Sequence, residues 1–415
     1  MPAETVVDAD VHIIEPRDTW TERMSATRWG DLVPHVRYDD EMAGEYWFAG
    51  GTRLASVGHT CVTRGPGGAP ARVHGYDLPK VYDDIHPSAY DSAARVKVMD
   101  EYGINVAVLY PDVGLFVTPR MHSGGRTGHQ GFGLHTPTDA AAVDDVEEYR
   151  RDLVRAYNDF VADWIAVAPE RYVGLVSIPY WDVPAAVAEI ERCAPLGFKG
   201  VITTGAPQVH GQPNLADRHW DPLWAAAQAN GLSISFHVGG GDISAHSNPE
   251  RRETFGALPM GVRAATGVFF DNAHVLGDLL MSGILARFPD LEFVNVESGV
   301  GWIAFCLESL DYHFKQYDVF KAHPEFTMLP SEYFRRQVYC TYWFEDVTDH
   351  DLERVGVDRI LFETDFPHPT CLMGGAIDEA LHGLDRVSAA TRAKVLYKNA
   401  ADLYGLSLTD AGPAR

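Results

Sequence analysis

The chain is short of basic residues and of cysteine, and it has no long apolar run. There are 34 Lys and Arg against 58 Asp and Glu in 415 residues, a formal charge of −24. A nucleic-acid backbone requires clustered Lys and Arg, so the deficit argues against a nucleic-acid partner. A small anionic substrate stays open, because one pocket can carry charge against the global sign. The five cysteines, Cys61, Cys193, Cys306, Cys340 and Cys371, are scattered and form no CxxC pair. An odd, scattered set fits a disulfide framework poorly, so reduced thiols in a cytoplasmic protein are expected. No stretch approaches the roughly 18 apolar residues of a membrane span, and no signal-peptide pattern opens the sequence. No GxGxxG follows the first strand-like run, and the GGRTG run (124–128) lacks the Lys of a P-loop.

What is present is alternation of strand-like and helical segments. Strands are expected over 5–14, 106–111, 172–179, 199–205, 232–239, 291–299, 337–343 and 359–368. Helical patterns fall between them, over about 92–103, 145–168, 183–195, 217–229 and 263–287, then from near 300 and 348, with two more closing the chain near 375–385 and 388–404. Eight strands separated by helices predict an α/β fold with parallel strands, a (β/α)8 TIM barrel, in one domain spanning 1–415. Two excursions lengthen it, 16–91 after strand one and 112–143 after strand two. In a barrel, loops after strands lie on the face that carries chemistry, so both are expected to wall a substrate pocket.

Polar residues collect at the ends of these strands. Strand one carries Asp8, Asp10 and His12, which strict alternation puts on one face. Strand five ends at His237, strand six at Asn295 and Glu297, and strand eight at Glu363, Asp365 and His368. A lone His at a strand end is usually a hydrogen-bonded core residue, and a lone Asp is usually a helix cap. In a barrel, however, these ends converge, and His with carboxylates at one point is the composition of a divalent metal site. Tyr110, Phe116, Tyr339, Tyr342, Trp343 and Phe344 lie at or near strand ends and could wall an apolar substrate, although alternation lets only some face inward. Arg120 and Arg126 in the second excursion could meet a substrate anion.

With these residues the sequence resembles the amidohydrolase-related family of metal-dependent TIM-barrel enzymes. The resemblance runs through DADVHIIEP (8–16), GFKGVITTG (197–205), DPLWAAAQANGLSISFHVG (221–239), SGILARFPDLEFVNVESGVGW (282–302), LFETDFPHP (361–369) and KNAADLYGL (398–406). It implies that Asp10, His12, His237 and Asp365 are metal ligands, with His368 beside them. Two positions depart from the family pattern: Asp10 replaces the first His of strand one, and Glu297 replaces the strand-six His. Both favour a harder ion, so Fe(II) is expected ahead of Mn or Zn, as one or two ions. Glu297 would bridge a second ion or act as general base. His274 is the expected extra nitrogen donor, and His246 is the weaker candidate.

Three readings of the activity follow from the resemblance. The favoured one is an O2-dependent monooxygenase of the family's non-haem dinuclear iron (or Mn/Fe) branch. It would hydroxylate a small or apolar organic substrate in secondary metabolism and need an external electron donor. The alternative is a hydrolase or non-oxidative decarboxylase, in which Asp365 takes a proton from metal-bound water. The third is a metal-binding, non-catalytic partner subunit. Pairing into a homo-oligomer through outer helices is compatible with all three.

Overall fold

A computed structural model describes residues 4–58, 61–73, 77–112, 145–239, 249–409 and 412–413. Eight parallel strands close into a barrel. They are β1 (Val7–Ile13), β2 (Val106–Pro111), β3 (Tyr172–Ser177), β4 (Gly200–Thr203), β5 (Ser233–His237), β6 (Phe293–Val296), β7 (Val338–Tyr342) and β8 (Ile360–Phe362). Each pairs with its sequence neighbour, and β8 closes the barrel on β1 through the register Asp8 to Phe362. The expected (β/α)8 architecture is therefore present.

The helices that separate the strands include α1 (Ser92–Tyr102), α2 (Val146–Ala166), α3 (Val183–Cys193), α4 (Asp221–Ala229), α5 (Ala257–Met281), α6 (Ile303–Gln316), α7 (Pro330–Gln337) and α8 (Asp349–Val355). Their starts are written in the sequence. Asp91, Asp145, Asp182 and Thr348 each accept a hydrogen bond from a free N–H of the first turn of α1, α2, α3 and α8. The expected helix over 263–287 begins six residues earlier, at Ala257, and ends at Met281. Gly283, at φ +72°, separates it from a short turn over Ile284–Arg287.

Apolar side chains pack on both faces of the barrel sheet. Val7, Ala9, Val108, Leu175, Val294, Val296 and Leu361 pack inside the barrel. Val11, Ile13, Leu109, Ile234, Phe236, Phe293 and Phe362 face the helices in the larger outer core. Strand β1 does not alternate throughout. Its register against β2 shifts between Asp8 and Val11, a bulge that adds one residue. Asp8 therefore lies opposite the inward Val7 and Ala9. The expectation that Asp8, Asp10 and His12 share one face fails because the bulge separates Asp8 from the other two.

The first excursion is more than a loop. It holds an antiparallel sheet of His35–Asp39, Gly44–Ala49 and Thr52–Ser56. Fully buried Trp20 and Trp47 meet edge to face at 4.9 Å, and Trp20 Nε1 donates to Leu153 O of α2 at 3.2 Å. Its later part reaches the loop after β8. Val62 N donates to Pro367 O at 2.8 Å, and Arg72 donates to Cys371 O at 2.8 Å. Of the second excursion only Asp112 is described, so Phe116, Arg120 and Arg126 lie outside the described residues, as does His246. All five cysteines are free thiols. Among the described residues no helix is long and apolar enough to cross a membrane.

Candidate metal centre

The C-terminal ends of β1, β5, β6 and β8 bring six side chains together. Asp10, His12, His237 and Glu297 form one group whose ligand atoms all lie within 4.8 Å of one another. His12, Glu297, Asp365 and His368 form a second group at the same spacing. The two groups share His12 and Glu297, so they make one continuous cluster. Asp10 and Asp365 are completely buried, and His12 is 1% exposed.

The imidazoles face each other in an arrangement that a cation would satisfy. His12 Nδ1 lies 2.8 Å from Pro111 O, and His237 Nδ1 lies 2.9 Å from Val238 O. A carbonyl can only accept, so both Nδ1 atoms carry the proton in the neutral rings and both Nε2 atoms carry lone pairs. Those two Nε2 atoms are 3.0 Å apart. Asp10 adds Oδ1 at 3.4 Å from His12 Nε2 and Oδ2 at 3.4 Å from His237 Nε2. Glu297 Oε2 is 3.4 Å from His237 Nε2, and Asp365 Oδ1 is 3.6 Å from His12 Nε2. Neither carboxylate oxygen of Asp10 has a hydrogen-bond donor, although both are buried. Lone pairs and carboxylates held together out of water are costly unless a cation lies among them. The donors therefore fit a divalent ion, and their mixture of two imidazoles with carboxylates is of the kind that hard and borderline ions take.

Burial sets the ionisation of the metal-free cluster. It pushes the Asp365 carboxyl up to about 7, with Asp10 and Asp8 adding to the rise while His368 opposes it. Burial also pushes Glu297 well above the usual carboxylate range, and the Asp365 charge adds to the effect. Burial and the neighbouring His368 and His237 hold His12 well below the ordinary histidine value. Burial would lower His237 too, but the Asp10 and Glu297 charges outweigh it and raise the group. His368 behaves the same way and is raised well above its ordinary value by Asp365 and Asp112. Its Nδ1 lies 2.6 Å from Asp365 Oδ1, and its Nε2 lies 3.7 Å from Asp112 Oδ1.

Backbone conformation aims two of the carboxylates. Glu297 and Asp365 both have left-handed backbones, at φ +58° and +60°. Such a conformation in a non-glycine residue costs of order 1–3 kcal/mol and persists only where its surroundings hold it. At Glu297 it reverses the strand pattern. Phe293 faces the helices, so alternation would send Asn295 and Glu297 the same way. Asn295 does hydrogen-bond Ser298 Oγ, which also accepts from Asn272 of α5. The left-handed turn instead carries Glu297 to His237.

The structure does not bring every expected donor to this point. His274 lies exposed on α5, where its charge acts on Asp278, and it belongs to neither group. A helix between two strands lies on the outside of the barrel, which is why it supplies no ligand here. Asp8 sits on the far face of the bulge. Its carboxylate accepts from Thr364 N at 2.9 Å and from Thr364 Oγ1 at 2.5 Å, and burial raises it to about 7. Of the aromatics, Tyr110 is buried inside the barrel and donates to Ser235 Oγ, while Phe344 is 57% exposed. Asp112 was not foreseen as a partner of His368. Its only sequence signal is its place immediately after β2.

Known proteins resemble this chain in sequence and in fold. A family profile described as Amidohydrolase matches residues 122–406. The gamma-resorcylate decarboxylase of Polaromonas sp. (strain JS666 / ATCC BAA-500) is 26% identical over 339 residues, covering 75% of this chain and 87% of its own. An amidohydrolase from Mycobacterium avium subsp. paratuberculosis K-10 superposes with a TM-score of 0.69 at 21% identity, over 97% of this chain and 99% of its own. The dihydroxybenzoic acid decarboxylase of Polaromonas sp. JS666, solved with bound manganese and the inhibitor 2-nitroresorcinol, has a TM-score of 0.59 at 18% identity, over 98% of this chain and 99% of its own.

Proposed function

The chain belongs to the amidohydrolase family, and on that premise we propose that it is a metal-dependent, non-oxidative decarboxylase of a small hydroxylated aromatic carboxylic acid. The observation that carries this reading is the long match to a gamma-resorcylate decarboxylase, over 75% of this chain. It corrects the expectation of an iron monooxygenase. Two of the three relatives named above are decarboxylases, so the hydroxylation reading and its oxidoreductase class fall away, and with them the electron donor that only an oxygenase would need. The alternative of a non-oxidative decarboxylase takes their place.

Asp10, His12, His237 and Glu297 would hold the ion, with Asp365 at its margin. Manganese is the first choice, because the similar dihydroxybenzoic acid decarboxylase was solved with it and the donors suit it. A bound divalent ion would supply Lewis acidity and charge neutralisation to the carboxylate and hydroxyl oxygens of the substrate. The protein's own groups handle the proton. Decarboxylation places one proton on the ring carbon that loses its carboxylate, and the carbon–carbon electron pair stays on the ring as CO2 leaves. Asp365 Oδ1 and His368 Nδ1, 2.6 Å apart, hold a proton that can be delivered there. Asp112, beside His368 Nε2, stabilises the imidazolium from which Asp365 recovers its proton. The whole chain acts as one unit in this reading, with the first excursion walling the mouth.

The test is CO2 release from a panel of mono- and dihydroxybenzoic acids by protein loaded with Mn(II). Asp365→Asn should lower turnover by about 100-fold or more. Absence of CO2 release across the panel, from protein that binds the metal, would sink the proposal.

A further inference from the structure

Glu363 immediately follows β8, two residues before Asp365, and is fully buried, in phase with the inward Leu361. It belongs to neither group of converging ligand atoms. Its Oε2 accepts the backbone N–H of Glu297 at 3.2 Å. The same N–H reaches Thr341 Oγ1 of β7 at 3.1 Å, so β7 and the segment just after β8 both receive it. Its other oxygen, Oε1, is buried with no hydrogen-bond partner. For stability alone this is a poor use of a carboxyl group. A well-packed apolar side chain of the same size would avoid the cost of burying it.

The N–H it receives belongs to the residue where the strand pattern breaks. Glu297 reaches His237 only because its backbone is left-handed. We propose that Glu363 is a positioning residue for metal binding: by accepting the Glu297 N–H it holds the left-handed turn that aims the Glu297 carboxylate at the ion. The inference rests on the metal-dependent reading above and adds a residue to it. The cost of the buried oxygen is then offset by ligand geometry.

The test uses full-length protein and Mn(II) itself, with affinity read by titration and the bound ion by its electron paramagnetic resonance spectrum. Glu363→Met should weaken Mn(II) binding tenfold or more and change the spectrum. The metal-free variant should melt no lower than the wild type. Loss of affinity without loss of stability is what a purely structural role would not produce. Glu363→Gln keeps an oxygen facing the N–H and should restore affinity to within about threefold of the wild type. Wild-type affinity in Glu363→Met would overturn the inference, as would a loss in Glu363→Gln equal to that in Glu363→Met. Should Glu363→Met fail to fold, Thr341→Val removes the other acceptor of the same N–H. Several-fold weaker binding supports the brace, and unchanged binding overturns it. Failure of the wild type to bind Mn(II) would instead overturn the metal reading itself, and this inference with it.

Discussion

His237 shows what a single side chain contributes. Its ring is fixed from below by Nδ1 and Val238 O, and its Nε2 lies within 3.4 Å of His12, Asp10 and Glu297. Removing the ring takes away one of two nitrogen donors and leaves buried carboxylates facing an apolar gap. His237→Ala should therefore weaken divalent-metal binding by about 100-fold or more, measured by titration of metal-free protein. His274→Ala, on the exposed side of α5, should bind metal as the wild type does, and an equal loss in both variants would refute this placement. At this scale the sequence was readable where strands behave regularly. Ser235 and His237 face inward because Ile234 and Phe236 face the helices. Glu297 was readable only as chemistry, since periodicity alone points it outward.

The turns after strands decide where the carboxylates go. The segment after β6 runs Glu297, Ser298, Gly299, and Gly299 continues the left-handed path at φ +69°. A Cβ there would stand 2.5 Å from Glu345 Oε1. That same oxygen accepts from Val300 N at 2.6 Å and from Gly301 N at 3.1 Å, at the approach to α6. Both the backbone angle and the close carboxylate exclude a side chain. Gly299→Ala should cost about 1–3 kcal/mol of stability and loosen the metal site with it. Chemical denaturation of the metal-free protein measures the first effect and metal titration the second; an unchanged unfolding midpoint would contradict the argument. The helix starts were legible because a capping side chain acts within its own first turn. The bulge in β1 was not, because its register is set by pairing with β2 across the barrel.

Over the whole molecule the acidic excess has two different parts. Most of the 58 Asp and Glu are solvated, but a few are buried at or near the barrel mouth. In metal-free protein Asp8 and Asp365 titrate near 7, against about 3.9 in an unfolded chain. Between these values the folded state holds protons that the unfolded state has released, so stability falls as pH rises through that window. Glu297, Glu363, His237 and His368 are shifted in the same direction. His12 and His86 oppose them, because burial lowers both and a lowered histidine favours the unfolded state in acid. Metal-free protein should therefore melt higher at pH 5.5 than at pH 7.5. Saturating Mn(II) should raise the melting temperature most at pH 7.5, where the carboxylates are ionised and proton competition is weakest. A metal-free protein that is more stable at pH 7.5 would contradict the burial of these groups.

The barrel, its strand order and the candidate metal-binding residues on regular strand ends follow from the sequence alone. Alternation and helical periodicity are local, and they repeat often enough to specify the fold. Which carboxylates join the converging cluster was decided only by tertiary structure. Asp8 is turned away by a bulge, Glu297 is turned inward by its own left-handed backbone, held by Thr341 of β7 and by Glu363 just after β8, and His274 is left on an outer helix. Each outcome depends on hydrogen bonds or packing between segments far apart in the chain, and no local pattern records those.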